Sequence, residues 1–166
     1  YSTIARTEVM LRQRSLLLQT TLASRSLDTA FIDVKLTNLA GHKFPSGYPT
    51  RRAWVQLVVT NAANDTLYDN GGVDGNDEII GQDAGWEPHH DVITDPGQVQ
   101  IYEMVVGDVN GNPTTVLERG KAPLKDNRLA PAGFHVSDVS YDTTKIVGVP
   151  VSDVDFNHEN GVEGSG

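Results

Sequence analysis

The chain has 166 residues and a mass of 18.0 kDa, enough for one domain with its own core, and it contains no cysteine. That composition excludes disulfides, thiolate metal sites, cysteine nucleophiles and any Cys-x-x-Cys-His haem attachment within the chain, and no apolar run approaches the ~18 residues of a membrane-spanning helix. The net charge of −9 is unevenly spread: residues 1–60 carry eight Lys/Arg against three Asp/Glu, and residues 61–166 carry five against nineteen. An acidic majority argues against nucleic acid as a partner, because that affinity rests on neutralising phosphates. The basic first third is expected to meet acidic groups, either within its own fold or on a partner.

Ile4, Leu11, Leu18 and Leu22 recur at helical spacing among Arg6, Arg12, Gln13 and Arg14, so residues 1–26 are expected to form an N-terminal amphipathic helix or linker. From Thr29 the period changes to two. Ile32, Val34 and Leu36 alternate with Asp33, Lys35 and Thr37, which predicts a half-buried strand, and Ala53, Val55, Leu57 and Val59 predict another. Residues 61–65 read as a turn into a strand at Thr66–Tyr68. Val99–Val106 is apolar on both faces, as a central strand would be, and Asp108–Pro113 is a turn leading to a hairpin partner at Thr114–Leu117. Phe134–Val136 and Ile146–Val149 predict shorter strands. Short strands punctuated by Gly, Asn, Asp and Pro point to a mainly β fold, an immunoglobulin-like antiparallel sandwich over residues 27–166. No closing strand is expected after Phe156. The start at Tyr1 and the Gly-rich end suggest a piece of a longer or processed protein.

Three segments hold residues suited to chemistry. Residues 41–52, Gly-His-Lys-Phe-Pro-Ser-Gly-Tyr-Pro-Thr-Arg-Arg, form a stiff, aromatic, basic loop between two predicted strands. Such loops carry binding residues, although a sheet-to-sheet crossover with one arginine in an internal ion pair explains the same pattern. The long acidic stretch 69–98 holds eight Asp/Glu and six Gly, within which Asp69, Asp74, Asn76, Asp77 and Glu78 are candidate calcium ligands; their spacing is not that of an EF-hand. His89 and His90, beside Glu87 and Asp91, are candidate ligands for a transition metal. On a strand they would point to opposite faces, so only a turn lets them share an ion; otherwise one is packed and the other solvated. Asn64-Asp65-Thr66 is a glycosylation sequon, meaningful only in a eukaryotic secretory protein. No nucleophile elbow, phosphate-binding glycine loop or His-Glu-x-x-His is present, so the chain is not expected to be an enzyme.

Four segments in order carry a resemblance: 38–54 (Asn-Leu-Ala-Gly-His-Lys-Phe-Pro-Ser-Gly-Tyr-Pro-Thr-Arg-Arg-Ala-Trp), 87–93 (Glu-Pro-His-His-Asp-Val-Ile), 98–103 (Gln-Val-Gln-Ile-Tyr-Glu) and 124–134 (Leu-Lys-Asp-Asn-Arg-Leu-Ala-Pro-Ala-Gly-Phe). Together they resemble the cysteine-free β-sandwich domain at the C-terminal end of many bacterial multihaem c-type cytochromes. The resemblance implies a periplasmic or extracellular parent protein engaged in electron transfer. In it this chain would be a non-catalytic accessory domain, without covalent haem, that packs against the haem-bearing domain of the same protein or complex or helps it oligomerise. It further implies that His42, Arg51 and Arg52 contact haem c of the parent, His42 or one of His89 and His90 as an axial ligand and the arginines at the propionates. The alternative from the residues themselves is a free-standing extracellular module, stabilised by calcium, that binds carbohydrate or protein through Tyr48, Trp54, Trp86 and Tyr102. A metal hydrolase built on His89, His90 and Asp91 would lack a spaced third ligand.

Overall fold

The computed structural model describes residues 2–83 and 85–157. The described residues divide into two compact units, the first drawn from the ranges 1–46, 129–144 and 154–166 and the second from 47–128 and 145–153.

In the first unit, helix α1 (Thr3–Gln13) begins where the Ser2 hydroxyl accepts from the Ala5 N–H at 3.3 Å, and ends where the Arg14 N–H reaches the Met10 carbonyl. The helix is shorter than the expected 1–26. Leu18 and Leu22 belong instead to strand β1 (Leu16–Arg25), which pairs antiparallel with β2 (Ala30–Asn38). The pairing overrides the helical spacing because it puts Leu18, Thr20 and Leu22 opposite Leu36, Val34 and Ile32, so one face of the ribbon is apolar and β-branched. Past β2 the chain is tied down by Asn38. Its side-chain amide donates to the His42 and Leu129 carbonyls at 2.7 and 2.9 Å, and its oxygen accepts from the Ala40 N–H. Phe44 and Leu129 exchange two backbone hydrogen bonds of 2.8 Å, and the Phe44–Pro45 peptide is cis. Phe134 lies in a turn rather than the expected strand. Its ring is 5.8 Å from that of Tyr141, in the one-turn helix α2 (Tyr141–Thr144), and 5.7 Å from the Lys43 ammonium.

The second unit is built from short strands. β3 (Ala53–Trp54) pairs with β6 (Ile101–Tyr102), and β4 (Leu57–Thr60) with β5 (Thr66–Asn70). β7 (Met104–Gly107) lies between β8 (Pro113–Thr114) and β9 (Ala122–Asp126), the last of which the alternation rule had not marked. Ile146–Val149 supplies a single bridge, Val147 to Asp126, before a 3-10 turn at Val149–Val151. All pairings are antiparallel and the described residues are mainly β, in three two-stranded sheets and one three-stranded sheet. Among the described residues Ile79, Val99 and Ile101 form a buried apolar cluster.

Close approach of backbone to backbone fixes the 69–98 stretch. Gly71 sits at φ +74°, where a Cβ would stand 2.3 Å from the Val55 carbonyl oxygen, and its own carbonyl accepts from the Trp54 indole at 3.0 Å. The Asn70 amide donates to the Pro96 and Gln98 carbonyls, joining the two ends of the loop. At Gly111, also at positive φ, a Cβ would meet open space. Replacing Gly111 by Ala is therefore expected to cost only the left-handed backbone penalty of about 1–2 kcal/mol, and Gly71→Ala about 3 kcal/mol because overpacking adds to it. Urea denaturation of the two variants checks this ordering; equal midpoints would contradict it.

Candidate functional site

The second unit contains a buried polar network assembled from Glu87, His89, His90, Gln100, Glu103, Lys125, Asn127 and Asp153. Lys125 is its centre. Placed on β9 opposite Val105, it is only 1% exposed, and its ammonium donates to the Glu87 carbonyl at 2.6 Å, the Ile101 carbonyl at 2.9 Å and Glu103 Oε1 at 3.2 Å. Three donors meet three acceptors, the condition under which a buried charge is tolerated. Burial lowers the Lys125 pKa from its ordinary value, against the opposing pull of the Glu103 and Glu87 carboxylates.

Around this cation the side-chain orientations determine one another. The His90 N–H donates to Gln100 Oε1 at 2.9 Å and the Glu103 N–H donates to Asn127 Oδ1 at 2.9 Å, so both amide groups turn their NH2 toward His89 Nδ1, at 3.0 and 3.1 Å. His89 Nδ1 is thereby an acceptor, and Nε2–H donates to Asp153 Oδ2 at 2.8 Å. His90 Nε2 meets Glu87 Oε1 at 3.1 Å, while Glu87 Oε2 accepts from the Asp83 N–H at 2.6 Å. Burial holds the His89 imidazole below the ordinary histidine pKa, against the raising influence of Asp153. The His89 and Asp153 side chains are 1% and 6% exposed, which leaves an Asp–His pair closed to any substrate. Both ring nitrogens of His89 are occupied and His90 is turned to a different carboxylate, so the structure does not bring the two histidines together as metal ligands.

The acidic loop spends its oxygens on turns. Asp74 Oδ1 accepts from the Asn76 and Glu78 N–H groups at 2.8 and 3.0 Å, and these backbone donors hold its carboxyl below the usual range. Asp69 Oδ1 accepts from Gln56, Glu78 Oε2 accepts from Gln82, and Asp77 sits at φ +63°. Among the described residues the Asp69, Asp74, Asp77 and Glu78 carboxylates form no group of three with oxygens within 4.8 Å of one another, so these carboxylates do not converge on one point.

The basic loop presents its residues separately. His42 is exposed, with Nδ1 3.0 Å from the Lys43 carbonyl oxygen. The Tyr48 hydroxyl donates to the Thr115 carbonyl, the Arg51 guanidinium folds over Gly47, and Arg52 Nη1 donates to Gln82 Oε1 at 2.8 Å. The expected aromatic platform does not form: Tyr102 is buried and the Trp54 indole is bonded to Gly71. Sequence reading missed Lys125, Gln100, Asn127 and Asp153, since polar residues in a strand pattern signal a solvated face unless their buried partners are known.

Lys125→Met leaves the Glu103 carboxylate buried without its cation, and a loss of about 3–5 kcal/mol is expected, with partial recovery in Lys125→Met/Glu103→Gln; denaturation of both variants measures this. For His89, a lowered folded pKa means that the unfolded chain takes up the proton first. Its contribution to stability is level above the ordinary value of about 6.5 and declines as the pH falls below it, by at most about 1.4 kcal/mol per pH unit. An imidazole NMR titration is expected to show His89 as the Nε2–H tautomer with a midpoint below about 6.5; a higher midpoint would mean that Asp153 outweighs burial. No family model, curated protein or solved structure matches the chain.

Proposed function

We propose that this chain is a non-catalytic accessory module of a multihaem c-type cytochrome, an immunoglobulin-like sandwich without covalent haem that packs against the haem-bearing part of the same periplasmic or extracellular protein. One observation carries the proposal: the residues best suited to chemistry are spent on holding the fold. His89, Asp153, Lys125, Glu87 and Glu103 are buried and bonded to one another or to backbone, and they come from three of the four segments that resemble the cytochrome domain together with the Asp153 turn. A module whose acid–base groups are mostly engaged within the fold is suited to packing and docking.

Outward-facing groups fit the same role. In the first unit, Ile4, Leu11, Leu18 and Leu22 are each more than half exposed, and Arg6, Arg12 and Arg25 are exposed on the same elements with Arg14 between them, which combines apolar area with positive charge. With Nδ1–H donating to the Lys43 carbonyl, His42 presents Nε2 outward as an acceptor, the tautomer that an imidazole ligand of iron or zinc requires. A haem held by the parent would supply the redox chemistry. This chain's part would be to offer that nitrogen and cover the haem from water.

The protein isolated from its native source is expected to have a mass well above 18.0 kDa and a Soret band. Changing His42 to Ala in that parent is expected to alter the low-spin haem spectrum. A native mass near 18.0 kDa with no Soret band would overturn the cytochrome assignment, and an unchanged spectrum would remove His42 as a ligand while leaving the packing role.

A further inference from the structure

The second unit has an open groove of about 530 Å³ whose floor is β7 and whose walls include Arg52, Gln82, Trp86 and Glu103. The size lies within the range that holds small ligands. Three polar groups on it are unspent. Arg52 uses Nη1 on Gln82, and among the described residues Nε and Nη2 have no acceptor. The Trp86 indole N–H likewise has none, although the ring is partly buried. Glu103 is 7% exposed and its Oε1 is held by Lys125, yet nothing among the described residues donates to Oε2. A nearly buried carboxylate with one oxygen anchored and the other open is a fixed acceptor, because the Lys125 contact prevents it from swinging away.

From this set we infer that the groove binds a neutral saccharide ring. A hydroxyl group both donates and accepts, so neighbouring ring hydroxyls can donate to Glu103 Oε2 while accepting from Arg52 and the Trp86 indole. The apolar C–H face of a sugar has the ring of Trp86 and the Met104, Val105 and Val106 floor to rest against. On the lining Arg52 stands against Asp83, Glu87 and Glu103, the last of them already bonded to Lys125, so a free anion meets three carboxylates and a cation is the competing ligand that the test separates from a sugar. Its readout is a sugar-induced shift at Trp86 in this chain alone, so its failure and the failure of the cytochrome assignment are told apart.

The experiment is a titration of the full chain followed through its two tryptophan indole N–H resonances, assigned with Trp86→Phe. Probes are glucose, galactose, N-acetylglucosamine, maltose and cellobiose, with acetate and tetramethylammonium as charged controls. At least one sugar is expected to shift the Trp86 signal saturably while Trp54, bonded to Gly71, stays in place. Arg52→Ala removes an exposed side chain without touching the buried network and is expected to weaken that binding about tenfold, as loss of a charged hydrogen bond does. Absence of a saturable Trp86 shift with all five sugars would overturn the inference. So would saturation by either ion in place of a sugar, or unchanged affinity in Arg52→Ala.

Discussion

Burying the Lys125 ammonium is the constraint around which the second unit is organised. Leaving a cation in a low-dielectric interior costs several kcal/mol unless every proton is met, and the three acceptors come from separate parts of the chain: the Glu87 and Ile101 carbonyls and the Glu103 carboxylate. Each segment is therefore held at one position relative to the others. The register of β9 on β7 follows, because sliding Lys125 by one residue would turn it to the opposite face of the sheet. Strands of two to five residues give weak register by themselves, and the Lys125 contacts add a directional constraint to the buried apolar cluster of Ile79, Val99 and Ile101.

His89 extends the same logic by one shell. Gln100 and Asn127 are each oriented by a backbone N–H, their amides orient the imidazole, and the imidazole presents its proton to Asp153. Satisfaction at one group depends on orientation at the next, so the network gains more from completeness than a sum of pairs suggests. Segments 87–93, 98–103 and 124–134 meet in this network through Glu87, His89 and His90, Gln100 and Glu103, and Lys125 and Asn127, so the same contacts hold all three in place. In the first unit Asn38 plays the matching part for segment 38–54, tying β2 to the His42 and Leu129 carbonyls.

Local pattern alone revealed the elements whose faces differ. The alternation at 32–36 found β2, the turn residues at 61–65 and 108–113 found their hairpins, and the doubly apolar run at 99–106, expected as one central strand, is divided at Glu103 into β6 and β7 of two different sheets. It failed where pairing decides conformation. Leu18 and Leu22 fit a helix by spacing, and only the cross-strand partners Leu36 and Ile32 make them a strand. Ala122–Asp126 carries Pro123 and Lys125 and has no amphipathic period, because its lysine points inward. The surroundings of the candidate ligands were hidden for a related reason. Acidic and histidine side chains crowded in sequence invite a metal, yet turn N–H groups and buried amides satisfy them first.

The difference between used and unused hydrogen-bonding capacity separates scaffold from surface more sharply than residue type does. Glu87 and Glu103 are both buried carboxylates, but both oxygens of Glu87 are engaged while Glu103 keeps one open onto the groove. Arg51 lies folded over Gly47, whereas its neighbour Arg52 retains donors beside Trp86. An open group held rigid by a buried one is already oriented before a ligand arrives, so binding need not meet the entropy of ordering it. The anchoring of Glu103 by Lys125 thus links the energetics of the fold to its surface: the cation that sets the register of β9 also fixes an acceptor on the groove.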